Sequence, residues 1–81
     1  MIEIYSTAQC PYCDRAKTIF KHKGLAYVEY RIDQDAEKRQ EMLTRAQRRT
    51  VPQIFINQHH VGGFDDLKAL IDAGKFEALF K

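Results

Sequence analysis

The sequence contains no tryptophan, only two cysteines and two prolines, and no long apolar run. Because a transmembrane helix needs about 18 consecutive apolar residues, no membrane-spanning segment is expected. The amino-terminal stretch MIEIYSTAQC lacks the basic start and the apolar core of a secretory signal peptide, so we expect a cytoplasmic protein. No repeat, low-complexity run or linker rich in glycine, serine and proline divides the chain, which predicts one domain over residues 1–81.

A strong excess of charge of one sign is also missing. Thirteen basic against eleven acidic residues give a formal net charge of +2, which is too small a bias to indicate a nucleic-acid partner. The one basic cluster, RAQRR at residues 45–49, has no aromatic residues interleaved with it. We interpret it chiefly as solvated surface, with attraction of a small anionic ligand or an acidic partner as the alternative.

Hydrophobic periodicity along the chain switches between that of strands and that of helices. Alternation in IEIYS predicts a first strand over residues 2–6, and the apolar spacing from Cys13 to Phe20 predicts a helix that begins at Pro11. The same reasoning predicts further strands or helices over residues 25–32, 35–46, 51–56, 59–62 and 64–74. The order β-α-β-α-β-β-α predicts an α/β fold with a four-stranded mixed sheet and helices on both faces, because strands joined by a helix are parallel.

Cys10 and Cys13 are separated by two residues in the motif CPYC. A structural disulfide is disfavoured, because the cytosol keeps thiols reduced and so short a loop removes little chain entropy when it closes. A zinc site usually needs four ligands, but there is no second cysteine pair and the histidines lack the required spacing. Two inert buried cysteines are a further alternative. We favour a redox-active dithiol, because a C-x-x-C pair at a strand–helix junction is typical of one.

Cys10 is predicted to lie where the first strand ends and the first helix begins, with its sulfur open to solvent. The free N–H groups and the partial positive charge of a helix N-terminus stabilise a thiolate, which is the nucleophilic form of cysteine. Cys13 lies on the same helix face but one turn deeper, so we expect it to be less exposed and mostly protonated. This spacing allows the two sulfurs to form a disulfide without unwinding the helix.

Three segments at compatible spacing resemble the glutaredoxin family, and in particular its small dithiol bacterial members: CPYC at residues 10–13, TVPQIFI at 50–56 and GGFDDL at 62–67. The resemblance extends from the first strand to the last helix. It implies a thioredoxin-like fold and glutathione-dependent reduction of protein disulfides and of glutathione mixed disulfides. Glutathione would then be a co-substrate, with no permanently bound cofactor and no metal.

The resemblance also implies individual roles, with Cys10 as the nucleophile and Cys13 as the resolving cysteine. The peptide bond before Pro52 is expected to be cis, which turns the backbone of Val51 toward the bound tripeptide. The start of the last helix would bind the γ-glutamyl end through free N–H groups and an acidic side chain. The predicted glutathione-binding residues are Tyr12, Arg39, Thr50, Val51, Pro52, Gly63, Phe64, Asp65 and Asp66. Simpler alternatives are helix capping for the two aspartates and a solvated helix face for Arg39.

Two positions depart from the family pattern. Thr7 stands where many relatives have a lysine that assists the thiolate, and Phe64 stands where some have an additional cysteine. The first departure leaves the helix end, or Arg39 and its neighbours, to supply positive charge near Cys10. The second adds an aromatic rim to the predicted cleft.

Two other functions compete with disulfide reduction by glutathione. Some relatives carry a [2Fe–2S] cluster through the first cysteine and glutathione in a dimer, but they usually have glycine or serine where this chain has Pro11. A thioredoxin-type reductant is expected to contain the motif WCGPC, which is absent. The predicted partners are therefore glutathione and disulfide-bearing or S-glutathionylated proteins. The chain is expected to act as a monomer.

Overall fold

The computed structural model describes residues 1–80 and contains a single four-stranded sheet with three α-helices. The strands β1 to β4 are Ile2–Ser6, Tyr27–Arg31, Gln53–Ile56 and His59–Gly62, and the helices α1 to α3 are Pro11–His22, Ala36–Ala46 and Phe64–Asp72, with a short 3-10 helix at Glu77–Phe80. The sheet order is β2-β1-β3-β4; β1 is parallel to β2, whereas β3 is antiparallel to both of its neighbours. The predicted element order and mixed sheet are confirmed.

Helices cover both faces of the sheet, because successive side chains of a strand point to opposite sides. The core under α1 and α3 consists of Ile2, Ile4, Ala16, Phe20, Ile54, Ile56, Leu67 and Phe76. The smaller core under α2 consists of Tyr5, Met42, Ala46 and Phe55. β1 therefore contributes side chains to both cores, one on each face of the sheet. The loops at one end of the sheet are available to form a site.

Tyr5 brings a polar group into the core under α2. Its hydroxyl donates to Glu41 and accepts from Arg45 at 2.8 Å, and the guanidinium carbon of Arg45 lies 3.9 Å from the ring centroid of Phe55. Burial, and next the hydrogen bond to Glu41, raise the pKa of Tyr5 to about 12, although Arg45 acts in the opposite direction. The phenol is therefore neutral and links α2 to the central strand.

A second polar group links α1 to the sheet. Lys17 on α1 lies 2.9 Å from Glu29 Oε2 on β2, and the hydroxyl of Ser6 donates to the same oxygen. Burial alone would raise the pKa of Glu29, but the hydrogen bonds from Ser6 and Lys17 outweigh it and lower that pKa below its ordinary value. This ion pair holds the helix that begins with the CPYC motif.

Two predicted boundaries differ because of local backbone chemistry. β3 begins at Gln53 rather than at residue 51, since Pro52 has no N–H to donate to a strand ladder. α3 ends at Asp72 rather than at residue 74, and Gly74 follows with φ of 72°. β2 is also shorter than predicted, over Tyr27–Arg31. In residues 1–80 no helix combines the length and the apolar character that crossing a membrane requires.

Candidate active site

Cys10 and Cys13 form a disulfide at the junction of β1 and α1, and their Cα atoms are 5.2 Å apart. α1 begins at Pro11 and stays regular through the bridge, as the CPYC spacing predicts. Cys13 is fully buried, whereas Cys10 is 8% exposed, so the expected order of accessibility is confirmed. Cys10 is nevertheless less open to solvent than expected, because its sulfur is bonded to Cys13 and lies 3.9 Å from the carbonyl oxygen of Val51.

Cys10 is also the N-cap residue of α1. Its backbone is extended, and its sulfur accepts a hydrogen bond from the N–H of Cys13 at 3.1 Å, which is one of the free donors of the first turn. Pro11 occupies the first helical position, where a missing N–H leaves no hydrogen bond unmade. The helix end thus supplies positive potential at the sulfur of Cys10, where the nearby Thr7 carries no charge.

A cleft of about 300 Å³ opens beside the disulfide, between the loop that precedes β3 and the start of α3. Its lining residues are Tyr12, Arg48, Thr50, Val51, Pro52, Gly63, Phe64, Asp65 and Asp66. The Val51–Pro52 peptide bond is cis, as expected from the resemblance. Val51 borders both the cleft and the sulfur of Cys10, so a molecule in the cleft would lie next to the cysteine pair.

Arg39 does not line this cleft. It lines a second depression, of about 270 Å³, together with Thr7, Ile32, Asp33, Arg49 and Val51. Val51 is the one residue common to the cleft and the depression, so the two adjoin there. The predicted ligand-binding residues are therefore divided: Arg39 lies in the depression, and the remaining predicted residues lie in the cleft.

The loop between β1 and Cys10 is fixed by Asp33. The carboxylate of Asp33 accepts two hydrogen bonds from Arg31, at 2.9 and 2.7 Å, and a third from the N–H of Ala8 at 3.2 Å. The guanidinium of Arg31, and to a smaller extent these N–H groups, lower the pKa of Asp33 to about 2. Asp33 is therefore ionised, and its charge is paired with that of Arg31. Arg39 and Arg49 are left as the cations that line the depression.

On the other side of the cleft, Asp66 of α3 is held by two donors. Its Oδ2 accepts from the N–H of Gly63 at 2.9 Å and from Nη1 of Arg48 at 3.0 Å. The hydrogen bond from Gly63, and next that from Arg48, lower the pKa of Asp66 below its ordinary value. Gly62 has φ of 113°, and a Cβ there would lie 2.8 Å from the carboxyl carbon of Asp66. Gly62 therefore leaves the space that this carboxylate occupies.

Asp66 both caps α3 and lines the cleft, so the capping alternative is correct for it without excluding a second role. Asp65 is exposed at the start of the same helix. Tyr12 and Phe64 form an aromatic rim with ring centroids 5.7 Å apart, and Tyr12 is 52% exposed. The rim therefore presents aromatic surface at the edge of the cleft.

Arg48 is the lining residue that the sequence did not single out. It lies in the basic cluster interpreted as solvated surface, and its partner Asp66 is 18 positions away. Gln47, in the left-handed conformation with φ of 54°, ends α2 immediately before it. No local pattern marks this pairing.

Among residues 1–80, no cluster of three or more histidine, cysteine, aspartate or glutamate side chains is arranged to hold a metal ion.

Comparisons with known proteins agree with this architecture. The sequence matches the glutaredoxin family model over residues 2–61. It is 50% identical over 80 residues to glutaredoxin 3 of Escherichia coli, covering 99% of this chain and 96% of the relative. The solution structure of a glutaredoxin from Brucella melitensis superposes with a TM-score of 0.82 at 47% identity, covering 96% of this chain and 85% of that one.

A buckwheat glutaredoxin crystallised in complex with glutathione has a TM-score of 0.87 at 30% identity, covering 96% of this chain and 74% of that one. The fold is therefore the thioredoxin-like fold of these proteins. The disulfide-forming pair also lies at the position that the CPYC motif predicts, at the start of α1. The chain belongs to the glutaredoxin family and is a thiol–disulfide oxidoreductase that works through its Cys10–Cys13 pair.

Proposed function

We propose that the reductant is glutathione and that its tripeptide binds in the cleft, with its sulfur against Cys10. One observation carries this proposal: the cleft and the redox sulfur meet at Val51, whose carbonyl lies 3.9 Å from the sulfur of Cys10. A backbone presented there pairs with an extended peptide in the manner of an added strand. Thr50 and Pro52 flank Val51 along the same wall.

The charges of the cleft suit a γ-glutamyl end, which carries both an ammonium and a carboxylate. Asp65 and Asp66 are the anions available to the ammonium, and the free N–H groups of Phe64 and Asp65 at the start of α3 suit the carboxylate. Gly63 lets the ligand approach this backbone closely, and Arg48 adds a cation. Tyr12 packs on the peptide from the rim.

Arg39 is proposed to bind the carboxylate at the glycine end, in the depression that adjoins the cleft at Val51. The depression that Arg39 lines shares Val51 with the cleft, so a peptide extended along Val51 reaches both. Arg49 lines the same depression and adds a second cation. The two ends of the tripeptide are thereby distinguished, with a mixed-charge end at α3 and an anionic end at Arg39.

With a glutathione mixed disulfide as substrate, Cys10 thiolate attacks the glutathione sulfur. The bond between that sulfur and the protein sulfur breaks, and the protein thiolate leaves and takes up a proton. Glutathione remains bonded to Cys10 until a second glutathione thiolate attacks its sulfur, which releases oxidised glutathione and regenerates Cys10 thiolate. Cys13 takes no part in this route.

With a protein disulfide as substrate, Cys10 thiolate attacks one sulfur and forms a mixed disulfide with the protein. The thiol of Cys13 loses its proton and attacks Cys10, so the reduced protein leaves and the Cys10–Cys13 disulfide forms. Two glutathione molecules then reduce that disulfide in turn and leave as oxidised glutathione. The disulfide in the structure corresponds to the oxidised enzyme of this second route.

Replacement of each cysteine separates the two routes. Cys13→Ser should keep the reduction of glutathione mixed disulfides and lose most protein-disulfide reduction, whereas Cys10→Ser should lose both. The measurement is a glutathione-coupled assay with an S-glutathionylated peptide and with a disulfide-bonded protein. Activity of Cys10→Ser with either substrate would contradict the roles assigned to the two sulfurs.

The remaining parts of the proposal concern the setting of the enzyme. It acts as a monomer formed by one domain over residues 1–81, in the cytoplasm, on disulfide-bearing and S-glutathionylated proteins, without nucleic-acid or membrane partners and without a permanent cofactor. The [2Fe–2S] carrier role is less well supported, since Pro11 occupies the first position of α1 and Cys10 is within bonding distance of Cys13.

A further inference from the structure

Gln53 is a polar side chain with no exposure to solvent, at the first position of β3. Its amide nitrogen donates to the carbonyl oxygen of Thr50 at 2.9 Å and lies 3.2 Å from the hydroxyl oxygen of Thr50. Its amide oxygen lies 2.8 Å from Nε2 of His60 on β4. A part-buried chain of hydrogen bonds therefore runs from His60 through the buried Gln53 to Thr50, which is exposed and lines the cleft.

The direction of this chain is fixed by chemistry. The carbonyl oxygen of Thr50 can only accept, so the nitrogen end of the Gln53 amide must face it. The oxygen end then faces His60, and Nε2 of His60 must carry a hydrogen to donate to it. Burial, and next the charge of Arg48, lower the pKa of His60, so the ring is neutral at pH 7 and this tautomer is the one required.

The chain ends at the hydroxyl of Thr50. Since one lone pair of that oxygen faces the Gln53 nitrogen, the O–H of Thr50 is left to donate to an acceptor in the cleft. The ring of His60 is held by stacking on Phe55, with ring centroids 4.8 Å apart and planes at 25°. Stacking on Phe55 thus holds the ring of His60, and with it the Nε2 donor, in place on β4.

We propose that His60 and Gln53 are positioning residues that fix the amide orientation beside Thr50, so that its hydroxyl donates to a carboxylate or carbonyl oxygen of bound glutathione. This inference rests on the proposed function, since it needs the tripeptide to lie in the cleft. Neither residue lines the cleft or contacts the sulfur of Cys10. Their effect is therefore expected in substrate binding and not in the chemical step at the sulfur.

The decisive variant is His60→Phe, which keeps an aromatic ring to stack on Phe55 but removes the donor. Without that donor the Gln53 amide is held by Thr50 alone and its oxygen is left unpaired, so the amide is less firmly placed beside Thr50. For an S-glutathionylated peptide kcat/KM should then fall about threefold to tenfold, the range expected for one hydrogen bond. The fall should come from a higher KM, with kcat nearly unchanged. His60→Gln, which restores an N–H donor, should recover most of the loss.

His59→Phe is the matched control, because His59 is the exposed neighbour of His60 on β4. It should leave both KM and kcat at wild-type values. A cycle with Thr50→Val separates positioning from general loosening of the fold. Once the hydroxyl is gone, His60→Phe should raise KM by clearly less than it does in the wild type.

The outcomes are distinguishable. If the wild type is inactive with the glutathionylated peptide, the proposed function is wrong and the inference falls with it. If the wild type is active and His60→Phe keeps the wild-type KM, the inference alone is overturned. A fall in kcat at unchanged KM, or an equal effect of His60→Phe in the Thr50→Val background, also overturns it. Should His60→Phe fold poorly, Gln53→Met decides, since methionine is of similar size but cannot donate to Thr50. It should raise KM, and an unchanged KM would overturn the inference.

Discussion

Replacing Gly62 by alanine adds a single methyl group and should strongly lower the stability of this protein. Gly62 has φ of 113°, and its Cβ would lie 2.8 Å from the carboxyl carbon of Asp66 and 3.1 Å from Nη1 of Arg48. The methyl group therefore requires an unfavourable backbone conformation and also displaces the carboxylate that caps α3. Both effects act at the wall of the proposed glutathione site.

The magnitude follows from these two effects. A non-glycine residue in such a conformation costs about 1–3 kcal/mol. Loss of the cap on α3 costs about 0.5–2 kcal/mol more. A combined loss of about 1.5–5 kcal/mol is large against a total stability of about 4–12 kcal/mol for a chain of this length. The melting temperature should then fall by about 6–40 °C.

Gly24 provides the matched control. It has φ of 70°, but a Cβ there would meet nothing within 4 Å. Gly24→Ala should therefore cost only about 1–2 kcal/mol, from the backbone alone. In an Asp66→Ala background the carboxylate is gone, so Gly62→Ala should cost about 0.5–2 kcal/mol less there than in the wild type, with the backbone cost remaining. The assay is urea unfolding of the single and double variants at pH 7. Equal losses for Gly62→Ala in the two backgrounds would refute the collision with Asp66.

Two predictions concern the dependence of stability on pH. Since the pKa of Tyr5 is raised to about 12 in the fold, its contribution is complete below about pH 10 and is lost as the pH rises through 12. Phenolate absorbance should show a tyrosine titrating near pH 12 that Tyr5→Phe removes, and its absence from the wild type would contradict the burial of this phenol and its hydrogen bond to Glu41. The pKa of Asp66 is lowered, so its contribution is present above its ordinary pKa and is lost as the pH falls through the lowered value. Urea unfolding at pH steps below about 4 should therefore show a weaker pH dependence for Asp66→Asn, and an unchanged slope would argue against the bonds from Gly63 and Arg48.

The fold was predictable because its signals are local. Alternation in IEIYS, the helical spacing after Pro11 and the glycines at residues 62 and 63 each specify an element without knowledge of the rest. The boundary of β3 was less predictable, because VPQIFI is apolar apart from Gln53 and only the missing N–H of Pro52 stops the ladder. The position of the disulfide followed from the CPYC spacing at a strand–helix junction.

The walls of the cleft depend on contacts that no local pattern contains. Arg48 contacts Asp66 because α2 ends at Ala46, just before Gln47, and because the sheet brings the start of α3 alongside. Arg39 was predicted from the family resemblance, and it lies in the depression that adjoins the cleft at Val51 and not in the cleft itself. Side chains named by a motif could be foreseen, whereas those that depend on the packing of two distant elements could not.

The burial of Cys13 constrains how the oxidised enzyme can be reset. An incoming thiolate must line up with the S–S axis, and Cys13 has no exposed surface whereas Cys10 is 8% exposed, so attack is directed at Cys10. Reduction therefore has a single point of entry, and glutathione becomes attached at residue 10 whichever substrate was consumed. Both catalytic cycles then share one covalent adduct, and a thiol-blocking reagent that modifies the accessible sulfur should halt them together.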